Sequence, residues 1–351
     1  MTSRPIESRR LMIRAPMRFR CDTVPLSDGQ PGHYLVQVNV CGLCRSDLSS
    51  AVSWAREWEE AGHEFGGTIV VGPGAAAPFG VGQRVAVRNA SVCRSCPPCL
   101  AGRPRDCQRL VVNKQGYREF AWCDERSLVD AEGLDDDRLA LVEPTNVALE
   151  LLDAARLSRG ERVVVLGGGT VGLIASFAAM LRHEVAALVV VGRSPEPSVE
   201  TLGAASYLAF DQATRDAVMR RLGGPVDVVL VTTPPATLPH ALDLCRPGGR
   251  VLTLGLDRAE ACTVALDVWS LIFRRISLTG VFAAPNLHFE AAVSWLRKDG
   301  ASLGSIVRRR IVFDDLEACF RAWHERGHFD GKTILVNPRL PRETIRRPEW
   351  S

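Results

Sequence analysis

Residues 162–173 read Arg162-Val163-Val164-Val165-Leu166-Gly167-Gly168-Gly169-Thr170-Val171-Gly172-Leu173, and the chain stays apolar to Leu181. A β-branched run that enters G-x-G-x-x-G and leaves as a helical stretch predicts strand, tight turn and helix. In a dinucleotide-binding βαβ unit each glycine has a task. Gly167 makes the turn, Gly169 lets the backbone approach a pyrophosphate, and Gly172 lets helix pack on strand. The N–H groups of Thr170 and Val171, at the start of that helix, would face the phosphates.

The next apolar run, Ala187 to Val191, lies where the second strand of such a unit belongs. Asp or Glu at its end holds the ribose 2′-hydroxyl of NAD. Here the strand ends in Gly192-Arg193-Ser194. With no carboxylate, a guanidinium for a 2′-phosphate and a hydroxyl beside it, the loop predicts NADP(H) in preference to NAD(H). Glu196 is the alternative, since a shifted loop would offer it to the ribose.

Further apolar runs, Val226 to Val231 and Val251 to Leu254, complete the cadence of a parallel, doubly wound sheet. Upstream the pattern differs. Leu35 to Val40, Gly67 to Val71 and Arg84 to Val87 are short alternating strands punctuated by Gly and Pro, which reads as a β-rich body. After Gly280 the cadence lapses, and Gly331 to Asn337 reads as a last strand that rejoins the first domain. The expected organisation is α/β: a β-rich domain over 1–147 and 286–351, with a dinucleotide-binding domain over 148–285.

The chain has 351 residues, 46% of them hydrophobic, and a formal charge of +3. That length supports two cores, and the charge leaves no global footprint for nucleic acid. Lysine occurs only at 114, 298 and 332, so the basic residues are nearly all arginine; Arg308-Arg309-Arg310 reads as a solvated strand or turn. The longest apolar stretch is broken by glycines and predicts no membrane span. The amino terminus is arginine-rich without an apolar run, which makes the cytoplasm the expected compartment.

Cys93, Cys96, Cys99 and Cys107 form C-x2-C-x2-C-x7-C. One loop of this spacing can wrap four thiolates around a zinc ion at about 2.3 Å each, a closed site that stabilises folding and has no position for water or substrate. A disulfide cluster is the competing reading, disfavoured by the adjacent x2 spacings.

Taken with three more motifs, Cys41-Gly42-Leu43-Cys44-Arg45-Ser46-Asp47, Gly62-His63-Glu64-Phe65-Gly66-Gly67 and Glu143-Pro144, and with Arg246-Pro247-Gly248-Gly249-Arg250, the chain resembles the zinc-containing medium-chain dehydrogenases of the alcohol and polyol type from about Leu11 to Pro338. The resemblance implies a GroES-like catalytic domain, an inserted Rossmann domain, and an active site between them. It implies a second, catalytic zinc on Cys44 and His63, with either Glu143 or Glu64 as third ligand. Ser46 would relay the hydroxyl proton, Asp47 would orient His63, and Arg45 would face the pyrophosphate. The substrate would be a small alcohol or ketone, and the assembly a homodimer or homotetramer.

Two departures stand out. Ser49 takes the place of a histidine common in the family, which alters the outward proton path. The segment Leu48 to Ala61 carries Trp54 and Trp58, which either line a substrate pocket or pack on one helical face. Glu143 and the carboxylate-rich zinc shell favour a polar secondary alcohol such as a polyol, sugar or aminocyclitol. Reduction of an apolar or aromatic aldehyde or ketone is the runner-up. A non-catalytic NADPH-binding or redox-sensing protein would have lost part of the Cys44, Ser46, His63, Glu64, Glu143 set.

Overall fold

The computed structural model describes residues 7–26, 29, 31–74, 77–193, 199–200, 205–212, 214–256, 262–329 and 331–337. Ser194, Glu196 and the tail from 338 lie outside them. The chain divides into two compact units, one running to Glu143 and resuming at Ala284, the other spanning Pro144–Ala283.

The first unit is β-rich, as the alternating pattern predicts. Its main sheet runs in the order Leu128–Asp130, Arg84–Val87, Glu64–Val71, His33–Gly42, Lys332–Val336, Val307–Ile311, and Phe120–Asp124 also pairs with His33–Gly42. The last strand therefore does rejoin this body. It lies antiparallel to His33–Gly42, with Ile334 opposite Gly42. Tyr34, Val36, Val38, Phe65, Ile69, Tyr117 and Phe320 are buried in one core cluster beneath the sheet. The triple arginine occupies the edge strand Val307–Ile311, its side chains exposed, and charge on an edge discourages further strand pairing.

The second unit holds a six-stranded, wholly parallel sheet in the order Ala205–Ala209, Ala187–Gly192, Arg162–Leu166, Val226–Val231, Cys245–Thr253, Ser277–Gly280. Val163 to Leu166 and Val228 to Val231 are completely buried, as expected where both faces of a parallel sheet are covered. The helix Thr170–His183 packs against the strands on either side of it in sequence. The fifth strand begins at Cys245, earlier than its apolar run suggests, because Arg246-Pro247-Gly248-Gly249-Arg250 is part of it. That motif is structural here: Arg246 Nε donates to Asp227 Oδ1 at 2.6 Å, and Arg250 pairs with both oxygens of Glu161 at 2.7 Å. After Gly280 the cadence lapses because the chain returns to the first unit, where helices Phe289–Asp299 and Leu316–Arg326 flank the arginine strand.

Candidate active site and coenzyme loop

Cys44 ends the turn after strand His33–Gly42 and caps the short helix Arg45–Ser49; His63 and Glu64 open the strand Glu64–Val71 and the turn before it. Those two strands are antiparallel neighbours, with Gly42 opposite Glu64, so strand pairing alone brings the thiol to the histidine. The Cys44 sulfur, a His63 ring nitrogen and a Glu64 carboxylate oxygen lie within 4.8 Å of one another. Soft thiolate, imidazole and carboxylate converging at that range is a donor set that suits zinc and leaves a fourth position open.

His63 is held from behind. Its Nδ1 lies 3.2 Å from Asp47 Oδ1, and such a contact fixes which ring nitrogen is free for a metal. In the metal-free protein burial opposes charge on His63, but Asp47 and Cys44 outweigh it and raise the imidazole well above its ordinary range; a metal bound at the outer ring nitrogen would displace that proton. Burial would also raise the Asp47 carboxyl; His63, the Tyr117 hydroxyl and the Gly62 N–H bring it below its usual value. Gly62 sits at φ +86°, and a Cβ there would collide with Tyr117.

Glu64 has a partner that sequence reading missed. It forms an ion pair with Lys332, whose Nζ also donates to Leu43 O at 2.9 Å. Both side chains are buried. Burial works against the Lys332 charge, yet Glu64, Cys44 and Glu143 raise its pKa. Glu143, at the start of helix Val142–Ala155, is buried too and lies outside the converging trio. Burial pushes its carboxyl up to about 7, with Glu64 and Asp47 adding to the rise and His63 and Lys332 opposing it.

The other sequence-predicted residues fall as follows. Ser46 Oγ donates to the Cys44 sulfur at 3.2 Å. Arg45 is exposed, and its Nη1 donates to Gly327 O at 3.1 Å. Trp54 ends a π-helical turn over Ser50–Trp54, whereas Trp58 lies beyond it with the Arg20 guanidinium 4.8 Å from its ring centre. The two tryptophans therefore do not share a helical face.

In the cysteine lobe the four sulfurs also lie within 4.8 Å of one another. Cys93 to Cys99 and Cys96 to Cys107 are each 4.0 Å apart. Four thiolates at about 2.3 Å from one ion would be separated by about 3.8 Å, so the lobe has the dimensions of a chelate and not the 2 Å of a disulfide bond. Among the described residues no cysteine is disulfide-bonded. The N–H of Cys93 points to Cys107 Sγ at 3.4 Å, and that of Cys96 to Cys93 Sγ at 3.3 Å, a bond among those that hold the Cys93 thiol below its ordinary range.

In the second unit Gly169 caps helix Thr170–His183. A Cβ at Gly172 would run into the Gly167 carbonyl oxygen, whereas at Gly169, which is exposed, it would meet nothing within 4 Å. The loop thus combines close helix–strand packing with an open face where backbone can approach phosphate. Beside it, Gly192 is buried and Arg193 exposed at the end of their strand. Tyr207, on the neighbouring strand, fills the space between the loop and Gly192. A Cβ at Gly168 would be 3.6 Å from its ring, and one at Gly192 only 2.5 Å from its hydroxyl.

Two family models match this chain: the alcohol dehydrogenase GroES-like domain over residues 30–133 and the zinc-binding dehydrogenase domain over residues 170–298. The chain belongs to the zinc-containing medium-chain dehydrogenase family. Its two units are those of an oxidoreductase of the alcohol dehydrogenase type. L-Galactonate-5-dehydrogenase of Escherichia coli K12 is 28% identical over 241 residues, 64% of this chain and 69% of that protein. A protein of Sinorhizobium meliloti 1021 described as a zinc-binding dehydrogenase, solved with NADP bound, superposes with a TM-score of 0.84 at 21% identity, covering 95% of this chain and all of that one. An alcohol dehydrogenase from Escherichia coli CFT073 complexed with NADH gives 0.82 at 21%, covering 94% and 99%. Among the described residues no helix is long and apolar enough to cross a membrane.

Proposed function

We propose that the chain is a zinc-dependent oxidoreductase that transfers hydride between NADP(H) and a polar secondary alcohol or the corresponding ketone. The observation that carries this reading is the convergence of Cys44, His63 and Glu64 with Asp47 behind the histidine. The residues fit two ions per chain, one on this trio and one on Cys93, Cys96, Cys99 and Cys107. Zinc held by the first site would polarise a carbonyl or lower the pKa of an alcohol, and a nicotinamide bound beside the glycine loop would supply the hydride acceptor or donor.

The chain's own residues divide the remaining work. Asp47 holds His63 with one nitrogen free, and Lys332 neutralises Glu64. We assign the third ligand position to Glu64, the carboxylate within reach of Cys44 and His63, with Glu143 outside the trio as a buried group able to exchange a proton near neutrality. Ser46 donates to the Cys44 sulfur, and to relay a substrate proton its hydroxyl would accept from the substrate while keeping a donor role elsewhere. The backbone of Gly167, Gly169, Thr170, Val171 and Gly172 would hold the pyrophosphate.

The same fold accommodates NADP in one solved relative and NADH in another, so the fold does not choose the cofactor. Gly192, Arg193 and Tyr207 support NADP(H). The first carries no carboxylate, the second offers a guanidinium, and the third occupies with its hydroxyl the space an acidic side chain would need. A polar, hydroxyl-rich substrate is supported by the buried charges of Glu64, Glu143 and Lys332 and by the relative named for L-galactonate.

A homodimer or homotetramer is supported by Trp269, Ile272 and Phe273, which are 71%, 63% and 65% exposed on helix Val268–Arg274, next in sequence to the edge strand Ser277–Gly280. Eleven cysteines without a disulfide fit the reducing cytoplasm. The test is a panel of polyols, aminocyclitols and aryl alcohols assayed with both cofactors. Turnover confined to polar secondary alcohols with NADP(H) is expected; turnover confined to apolar or aryl substrates would overturn the substrate assignment.

A further inference from the structure

The metal-site histidine is backed by Asp47, but Asp47 itself is held by a residue that no motif includes. Tyr117 is completely buried, and its hydroxyl donates to Asp47 Oδ2 at 2.7 Å. The other carboxylate oxygen, Oδ1, faces His63 Nδ1 at 3.2 Å and the Gly62 N–H at 3.4 Å. The two oxygens therefore have separate tasks: one is anchored by the phenol, the other directs the imidazole.

Tyr117 is itself placed with little freedom. Its N–H donates to Ala61 O at 3.1 Å, its carbonyl accepts from Leu11 N at 2.9 Å, and the preceding Gly116 N–H donates to Gly62 O at 2.8 Å. The turn that carries His63 is thus bonded to the segment that carries Tyr117. Its ring meets Phe320 edge-on, centres 5.8 Å apart. The side-chain space at Gly62 is filled by Tyr117, which is why the ring can lie directly beside the histidine turn.

We infer that Tyr117 is a positioning residue of the metal site, holding Asp47 so that His63 presents its Nε2 to the ion. A buried carboxylate anchored at one oxygen cannot rotate away from the imidazole, and the imidazole keeps the tautomer in which the metal-facing nitrogen is unprotonated. Without the phenol hydroxyl, Oδ2 becomes a buried acceptor with no donor, and the carboxylate turns to find one. Outer partners of this kind change metal affinity by about 10- to 100-fold when removed.

The inference rests on Cys44 and His63 binding an ion, and the experiment separates the two claims. Zinc release from the purified protein to a chromophoric chelator should show two classes of ion. The class lost in Cys44→Ser belongs to the trio. Tyr117→Phe keeps the ring and its packing on Phe320 and removes only the hydroxyl. It should weaken that class by about tenfold and leave the cysteine-lobe class unchanged, an internal control for general loss of structure. A conservative core variant in the second unit, Phe177→Leu, should leave both classes unchanged. Equal affinity of the trio class in Tyr117→Phe and the unmodified chain overturns the inference. Absence of a Cys44-dependent class in the unmodified chain overturns the metal site and the inference together. Weakening of both classes in Tyr117→Phe also overturns it, as it would mark a merely structural role.

Discussion

Arg193→Ala should weaken NADPH binding selectively. Arg193 follows Gly192 at the exposed end of its strand, so its bond to a 2′-phosphate would be charge-assisted but open to solvent. Such bonds contribute about 1.5 to 3 kcal/mol, and exposure places this one near the lower end, at roughly 1.5 to 2 kcal/mol. That corresponds to a loss of about ten- to thirtyfold in NADPH affinity. NADH, which has no 2′-phosphate, should change by less than about twofold on the same scale. The assay is fluorescence titration of the reduced cofactors at fixed ionic strength, because the contribution is screened by salt. Reversing the preference requires more than a carboxylate at Gly192. The Tyr207 hydroxyl stands 2.5 Å from where its Cβ would be, so Gly192→Asp alone should perturb the strand end. The variant expected to favour NADH is Gly192→Asp, Arg193→Ala, Tyr207→Ala. Tighter binding of NADH than NADPH by the unmodified chain, or an equal loss of both in Arg193→Ala, would refute the reasoning and direct attention to Glu196.

Cys99→Ser opens the four-thiolate lobe and should lower soluble yield or melting temperature with loss of about one zinc per chain, read by metal analysis and thermal melting. Lys332→Met leaves the buried Glu64 carboxylate without its cation and should cost the metal-free protein about 3 kcal/mol in denaturant unfolding; an unchanged midpoint would show that the pair carries no stability. Placing aspartate at both Trp269 and Phe273 should release monomers in sedimentation while leaving the monomer folded; an unchanged oligomer would show that this helix is not the interface.

How much of this was legible in the sequence depended on whether the partners were near in the chain. The glycine loop and the cysteine lobe are local: Gly167, Gly169 and Gly172 act within one turn, and Cys93 to Cys107 within one loop. Their spacing carries the geometry. Cys44, His63 and Glu64 are legible as motifs, but their convergence rests on the register of two antiparallel strands, with Gly42 opposite Glu64. The residues that escaped notice all reach their partners across the fold. Tyr117 meets Asp47 across 70 residues, and Lys332 meets Leu43 across 289. Neither spacing has a period to read. A compositional hint did exist for the second, since Lys332 is one of only three lysines among 43 basic residues, and a buried carboxylate needs a cation. Tyr207 was hidden for a related reason: only pairing of its strand beside Ala187–Gly192 puts it against Gly192. Trp54 and Trp58 show the converse. Their four-residue spacing suggests one helical face, but the helix ends at Trp54 and Trp58 is engaged by Arg20.

The central claim, that one of two metal sites performs the chemistry, is tested most directly by zinc content and turnover measured together in Cys44→Ser. The expected protein is folded, retains about one zinc per chain in the cysteine lobe and has negligible NADP(H)-dependent turnover. Near-normal turnover, or two zinc ions still bound, would contradict the account.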